Sequence, residues 1–360
     1  MTNGWHAAVI IPTRNNVEVV LETLSSLDCT TKSIPPGARC DVIVVDDSEP
    51  DQAARILAKC RAIGASYVSG PRTVAVKRNV GAQATSADYL IFVDSDCNVL
   101  DEGFVMAHVR RLQAGWTHSG RPLGAVAGHV RIRTDDSPKN FKLWSMAARS
   151  FSFQPQFEWP YWFDEVFWCS AGNLSLRREV FESIGRFHEK TYTVVGGEDV
   201  DICMRLQDAG FALGTAPDAL AFHATAHITG VSELLSKMFR YGRSEVYSAM
   251  RQPHHQQFHL NPVSTILVAG LVGTRKPAAY VRRALAAASL FWAGHTLTLY
   301  LRDPDRDLAS ALFGVSMDWA FDAGIFWESL RRGVPRFAFQ KFRYLDTSHF
   351  RPLTRGRKEA

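Results

Sequence analysis

The sequence predicts an α/β protein built on a parallel sheet, followed by a helical carboxyl-terminal region. Three observations predict it. Short apolar runs of strand length alternate with stretches of helical spacing through the first third, and several of those runs end in acidic or polar residues. Near Thr229 the alternation gives way to helical stretches that lead into a basic tail. Strand–helix alternation implies right-handed crossovers, and the ligands of such sheets bind beyond the carboxyl ends of the strands.

In chain order, "AAVII" (7–11) is a buried-strand candidate, and "VEVVLETLSSL" (17–27) has Val17, Val20, Leu21, Leu24 and Leu27 at helical spacing. "DVIVV" (41–45) is the next strand, before a helix from about residue 51 to 63. "ASYVS", "RTVAVKRNVGAQA" and "YLIFV" repeat the pattern, which places "PTRN", "DDS" and "DSD" on one rim. After Gly124, "GAVAGHVRI" is a strand and residues 141–170 are crowded with aromatics. "GGEDVDICMRLQDAGF" is a helix, with Ile202, Leu206 and Ala209 at i, i+4 and i+7 and Gly210 as its stop. A strand pair, "FALGT" and "ALAFH", follows. "ALAAASLFWAGHTLTLYL" (284–301) is free of formal charge and close to bilayer length, but His295, Thr296 and Thr298 sit in its second half. Asp318 and Asp322 follow one helical turn apart. A packed helical hairpin is expected there, with a membrane-surface element and then a true span as the alternatives.

At 360 residues and 46% hydrophobic composition, the chain can bury a large core. Its net charge of +5 is unevenly placed: residues 331–360 hold nine Lys or Arg against Asp346 and Glu359, which leaves the remainder near −2. A nucleic-acid-binding face spread over the fold is therefore not expected. The six cysteines form no C-x-x-C pair and lie mostly in apolar segments, as reduced packed thiols do. No basic segment precedes the first apolar run, so a cytoplasmic protein is expected, at the inner face of the cell membrane if the basic tail engages lipid.

The chemistry-bearing motifs begin with exclusions. No G-x-G-x-x-G follows the first strand and no P-loop sequence occurs anywhere. "DSDCNVLDEGFV" starts like a calcium loop but carries Val99 and Val105 where Gly and Glu are required. D-x-D by itself recurs by chance in a chain of this size. Asp94 and Asp96, however, stand at the end of a hydrophobic strand, where hard cations such as Mg²⁺ and Mn²⁺ take carboxylate oxygens and leave the remaining positions to phosphates. A solvated turn is the bland alternative. Asp46 and Asp47 end another strand on the same rim, either to hold a polar ligand or to cap the next helix. Arg78 in "VKRNVGA" can balance a diphosphate, or lie at the surface. Glu198 and Asp199 open a helix, which stabilises carboxylates with or without a catalytic role. His223 is either a metal ligand or a packed residue, with His227 its competitor.

The ordered set "VIIPTRNN", "VIVVDDS", "VKRNVGA", "YLIFVDSD", "AGNLSLRREVFESIGRF" and "GGEDVDICMRL" resembles the family 2 glycosyltransferases, nucleotide-sugar enzymes of the GT-A fold, over about residues 7–228. The resemblance implies a mixed, mainly parallel Rossmann-like sheet with flanking helices. It divides the chain into a catalytic domain (1–228) and a helical region with the basic tail (229–360). The donor half of the catalytic domain would span about 1–130 and the acceptor half about 131–228. It implies that Pro12, Thr13 and Asn15 border the nucleotide, that Asp47 reads the base, and that Arg78 and Asp94 lie near the diphosphate. Mn²⁺ or Mg²⁺ would be held by Asp96 and Asp94, with His223 as a further ligand. Asp199 would be the general base and Glu198 would assist it or hold the acceptor; Asp201→Asn is then expected to cost much less transfer rate than Asp199→Asn. Trp168, Gly172 and Asn173 are the expected acceptor contacts. Arg14 stands where the family usually has an aromatic, and would bind an anionic group. Processive members carry Q-x-x-R-W; the comparable helix here reads "SKMFRYGRS", which implies single addition.

The expected activity is thus inverting transfer from a nucleoside-diphosphate sugar, a UDP-sugar first, to a hydroxyl acceptor that is lipid-linked or a secondary metabolite. Two rivals stand beside it. A sugar-phosphate nucleotidylyltransferase would need a Gly-rich loop where "PTRNN" stands. A non-catalytic scaffold would not need Asp96 and Asp199.

Overall fold

The structure is a computed structural model that describes residues 4–99, 101–133, 138–147, 159–192, 196–224, 230–271, 276–303 and 305–342. His227 and the tail from residue 343 lie outside these residues, as do Phe151, Phe153 and Phe157 of the aromatic stretch. The first half runs β1 (His6–Thr13), α1 (Val17–Lys32), β2 (Arg39–Asp46), α2 (Pro50–Ile63), β3 (Ser66–Ser69), α3 (Val74–Gln83), β4 (Tyr89–Val93), β5 (Cys97–Val99), α4 (Phe104–Gln113) and β6 (Leu123–Ile132). Then come α5 (Pro138–Ala147), α6 (Trp159–Trp162), β7 (Asn173–Arg177), α7 (Arg178–Ser183), α8 (Glu198–Asp208) and β8 (Ala212–His223). The carboxyl-terminal part holds α9 (Val231–Arg251), β9 (Gln256–Phe258), α10 (Pro262–Leu271), α11 (Pro277–Arg302), α12 (Leu308–Arg331) and β10 (Gln340–Phe342).

Eight strands form one sheet in the order β3-β2-β1-β4-β7-β6-β8-β5. β3, β2, β1 and β4 are mutually parallel, as the crossovers predict; β7 enters antiparallel between β4 and β6, and β6 and β8 are again parallel. The pleat of β1 sends Ala7, Val9 and Ile11 to one face, against Val20, Leu24 and Leu27 of α1 and Val105, Val109 and Leu112 of α4. Ile10 points to the other face, with Ala75 and Ala82 of α3 and Ile202 and Leu206 of α8. The described cysteines are free, and four of the five are buried.

Two local features depart from the expected pattern. "FALGT" and "ALAFH" are one strand, β8, and not a pair: its register against β6 slips between Gly128 and His129, so that residues 217–219 bulge out. Pro217 has no N–H for the ladder, and a bulge accommodates it within a continuing strand. "CNV", to which the sequence pattern assigns no element, is the short strand β5, which pairs antiparallel with the end of β8.

α9 packs against α12 at very short range, because a methyl group at Gly242 would overlap the Phe321 carbonyl and one at Gly324 the Phe239 carbonyl. The contact is locked by the buried Glu328. Its carboxylate accepts from Arg243 Nε (2.9 Å) and Tyr247 (3.2 Å) on α9, and from Arg331 (2.5 Å) and Arg332 (2.9 Å) near the end of α12. Two of the tail's positive charges are thereby occupied inside the fold. Burial opposes the Glu328 charge, but the hydrogen bonds from Arg331, Arg243 and Arg332 outweigh it and hold the carboxyl at about 2. A carboxyl held below its unfolded value of about 4.3 adds stability above that pH, which is lost as pH falls through the folded value. Glu328→Gln should therefore lower the Tm by several degrees at pH 7, and the gap to the parent should close between about pH 4 and pH 2. A gap that stays constant in melts across that range would reject this account.

Candidate functional site

A cavity of about 720 Å³ lies at the carboxyl ends of the first strands, where the sheet rule puts it. Pro12 lies near the end of β1 and Arg14 follows it, Arg72 and Arg78 come from the entry and body of α3, and Asp94, Ser95 and Asp96 follow β4. Ser170 enters from the turn before β7, and Glu198 and Asp199 from the start of α8. α9 closes the wall with Arg240 and Tyr241, so the site draws on both sides of residue 228.

Arg78 organises the carboxylates. Its side chain is 4% exposed and donates Nη2 to Asp94 (2.8 Å) and Nη1 to Glu198 (2.8 Å). Burial works against the guanidinium charge, but Asp94, Glu198 and Asp199 outweigh it and the arginine stays charged. The strand-end aspartate and the helix-start glutamate are thus tied through one cation, although about a hundred residues separate them. Asp199 is half-buried at the wall and accepts from the Val200 N–H (2.8 Å). Burial, and then the neighbouring Glu198 charge, push its carboxyl up to about 7 against the pull of Arg78.

The paired glycines before Glu198 are required by both backbone and space. Gly196 and Gly197 have φ of 100° and 97°, in the left-handed region, and a methyl on either would press into the Tyr241 or the Tyr192 ring. The chain can then turn into α8 directly beneath two tyrosines.

Asp96 and His223 meet across the β5–β8 pairing, with His223 Nε2 3.5 Å from Asp96 Oδ2. His223 Nδ1 lies 2.8 Å from the Ala224 carbonyl, which can only accept, so Nδ1 carries a proton. A backbone carbonyl on one ring nitrogen is the usual support for a ligating histidine. Asp96 and His223 thus offer an oxygen and a nitrogen donor side by side at the rim. Among the described residues no group of three or more His, Cys, Asp or Glu side chains is placed to hold a metal ion.

Other expected residues make contacts within the fold. Thr13 is buried, and its carbonyl accepts from Lys77 Nζ. Asn15 clasps the neighbouring loop: its N–H donates to Ser48 Oγ (2.6 Å), and its Oδ1 accepts from the Glu49 N–H (3.1 Å). Asp47 is paired with Lys77 and stands 3.5 Å from Arg14 Nε. Its partner Asp46 is fully engaged by Ser48 and Tyr67 (2.8 Å). Gly172 abuts Asp94, where a methyl would press on the carboxylate.

Trp168 and Asn173, two of the expected acceptor contacts, are both buried. Trp168 is 7% exposed and packs in the core beneath the sheet with Val166, Cys169 and Leu206, away from the cavity lining. Asn173 is 1% exposed, and its amide clamps the β8 bulge by donating to the His129 (3.0 Å) and Ala219 (2.8 Å) carbonyls. Its oxygen accepts from His108 Nε2 (2.8 Å). Burial lowers His108 to about 4, so the ring is neutral and its Nδ1 accepts from Ser175 Oγ (2.9 Å). A bulge frees backbone carbonyls that a buried amide must satisfy, which accounts for an asparagine at this position.

Sequence reasoning missed Arg72, Ser170, Tyr192, Arg240 and Tyr241. Arg240 and Tyr241 had a signal, because they occupy the last two places of the K-x-x-R-Y segment in "SKMFRYGRS". Lys237, one turn earlier on α9, lies 5.3 Å from the Trp144 ring centroid and 5.8 Å from that of Tyr241.

The description "Glycosyl transferase family 2" matches residues 8–185. The chain is 25% identical over 247 residues to the glycosyltransferase AglE of Haloferax volcanii, a match covering 66% of this chain and 72% of that protein. It is 29% identical over 251 residues to the pre-mycofactocin glycosyltransferase of Mycobacterium tuberculosis, of which it spans about half (48%). In fold it is similar to the mannosyltransferase PcManGT from Pyrobaculum calidifontis, solved with GDP-Man and Mn²⁺: the TM-score is 0.54 at 16% identity, over 89% of this chain and 88% of that one. With a sheet, a rim of carboxylates and relatives that all agree, the chain belongs through residues 8–185 to glycosyl transferase family 2, and is a glycosyltransferase that takes its sugar from a nucleotide-sugar.

Proposed function

We propose that the cavity performs a single, inverting transfer from a nucleoside-diphosphate sugar to an acceptor hydroxyl, assisted by Mn²⁺ or Mg²⁺, with a UDP-sugar as the first donor to test. The observation that carries this reading is the Arg78 bridge, which joins the D-x-D carboxylate Asp94 to the α8 carboxylate Glu198 within one cavity. Arg14, Arg72 and Arg240 add positive charge suited to a diphosphate. Asp94 and Asp96, with His223, would hold the cation. When bound, it offsets the charge that builds on the departing diphosphate.

Asp199 takes the acceptor proton. The hydroxyl oxygen forms its bond to the anomeric carbon as the bond to the diphosphate oxygen breaks on the opposite face, and the bonding pair leaves with the diphosphate. A base near neutral pKa is matched to this task, and general-base catalysis contributes about 10²–10⁴ in rate. Glu198, held by Arg78, keeps the Asp199 carboxyl basic. With Trp168 in the core, Tyr192 and Tyr241 are the aromatic faces available to a sugar or acceptor. The acceptor is a hydroxyl compound, lipid-linked or a free secondary metabolite.

Thermal shift with a panel of nucleotide-sugars, with and without Mn²⁺, tests the donor class. Asp96→Asn should keep the parent Tm and lose Mn²⁺-dependent affinity for the nucleoside diphosphate by at least about tenfold, the effect of weakening a metal-binding group. Calorimetric titration that finds the Mn²⁺ dependence unchanged would reject Asp96 as a ligand.

A further inference from the structure

α11 carries two opposed faces. Trp292, His295 and Leu299 point inward: Trp292 meets Trp319 edge-on at 5.0 Å, His295 reaches Asp318 at 3.0 Å, and Leu299 is buried with Ala311 and Val315. The outer stripe is Ala286, Leu290, Ala293, Leu297 and Leu301, at i, i+4, i+7, i+11 and i+15, and every one of these residues is exposed. Leu290 is 76% exposed and Leu301 60%. Among the described residues, twelve of the sixteen exposed large apolar side chains fall between Phe258 and Leu330. In water such a face is unfavourable, and its concentration on one region marks an interaction surface.

The charge pattern selects the occupant. α11 has no Asp or Glu, its 18 residues from Ala284 to Leu301 have no formal charge, and Lys276, Arg282 and Arg283 stand at its amino-terminal end, while at the other end Arg302 is followed by Asp303, Asp305 and Asp307. Arg283 is two turns before Leu290 on the outer stripe. A basic end beside an apolar stripe matches anionic headgroups beside acyl chains. A cavity of about 490 Å³ continues the apolar surface, walled by Leu260 and Pro262 on one side and Leu290, Phe291 and Gly294 on the other. The hairpin is also tethered: α12 is fixed to α9, the helix that supplies Arg240 and Tyr241 to the cavity. That arrangement suits a helix lying along a surface.

We propose that the α10–α11 face docks on an anionic lipid bilayer, with α11 in the headgroup plane and its outer stripe sunk about 5–10 Å toward the acyl chains. This docking does not depend on the transfer chemistry, and its test reads no activity. The full chain should float with phosphatidylcholine vesicles containing phosphatidylglycerol, bind pure phosphatidylcholine weakly, and release as salt is raised. The double variant Leu290→Glu/Leu297→Glu should reduce the bound fraction on the order of tenfold, with the Tm and the affinity for nucleoside diphosphate unchanged. Equal flotation of parent and double variant would overturn the proposal, as would equal binding to both vesicle types or no binding by the parent. A parent dimer that the double variant dissociates, without vesicle binding, would assign the face to a second copy of the chain instead.

Discussion

Asp199→Asn should bind the nucleoside diphosphate as tightly as the parent while losing at least about 10²-fold in transfer rate, the lower end for loss of a general base. The change is nearly isosteric, and it leaves the Arg78 bridge between Asp94 and Glu198 untouched. The carboxyl is raised to about 7 by burial and by Glu198, so the parent's kcat/KM should climb as pH rises through that value and Asp199 loses its proton. The variant should lack that limb. Steady-state kinetics from pH 5.5 to 9, paired with a binding titration, decides the matter. A rate within a few-fold of the parent, or a fall in affinity as large as the fall in rate, would remove Asp199 from the role of base.

The second large effect falls on stability. Asp201→Asn should destabilise the fold by about 3–5 kcal/mol, the range for breaking a buried charge pair by removing one partner. Asp201→Asn is expected to cost less transfer rate than Asp199→Asn, but the structure gives Asp201 a part in stability. Its side chain is 0% exposed and accepts from Arg205 Nε (2.8 Å) on its own helix and Arg251 Nε (3.3 Å) on α9, with His188 Nε2 at 3.7 Å. The same carboxylate therefore joins α8 to α9 behind the cavity. Denaturant unfolding of the variant measures the loss, and a midpoint equal to the parent's would refute the hub. A lowered activity in Asp201→Asn would report damage to the fold, so it cannot serve as a silent control for Asp199.

The parallel half of the sheet was legible because its signals are local. A strand buried on both faces must be a continuous apolar run, a helix beside it must repeat its apolar residues every three to four positions, and their alternation leaves one handed topology. The D-x-D and E-D carboxylates were legible for a related reason: a strand end and a helix start are set by neighbouring residues, and the sheet rule then puts both on one rim.

The rest depended on partners far away in the chain. Nothing adjacent to Trp168 tells whether its ring faces a cavity or a core, and the packing of β7, β8 and α8 put it in the core. Asn173 follows a glycine in a turn and reads as a ligand contact, yet the bulge in β8 claims its amide from some 45 residues away. Arg240 and Tyr241 reach the cavity only because Gly242 and Gly324 let α9 and α12 touch backbone to backbone. The sequence by itself determined the family, the parallel half of the sheet and the acidic residues on its rim, since each is written in a few consecutive residues. Only the tertiary structure decided which polar groups face the ligand and which are consumed inside the fold, because burial and hydrogen-bond satisfaction are properties of the assembled whole.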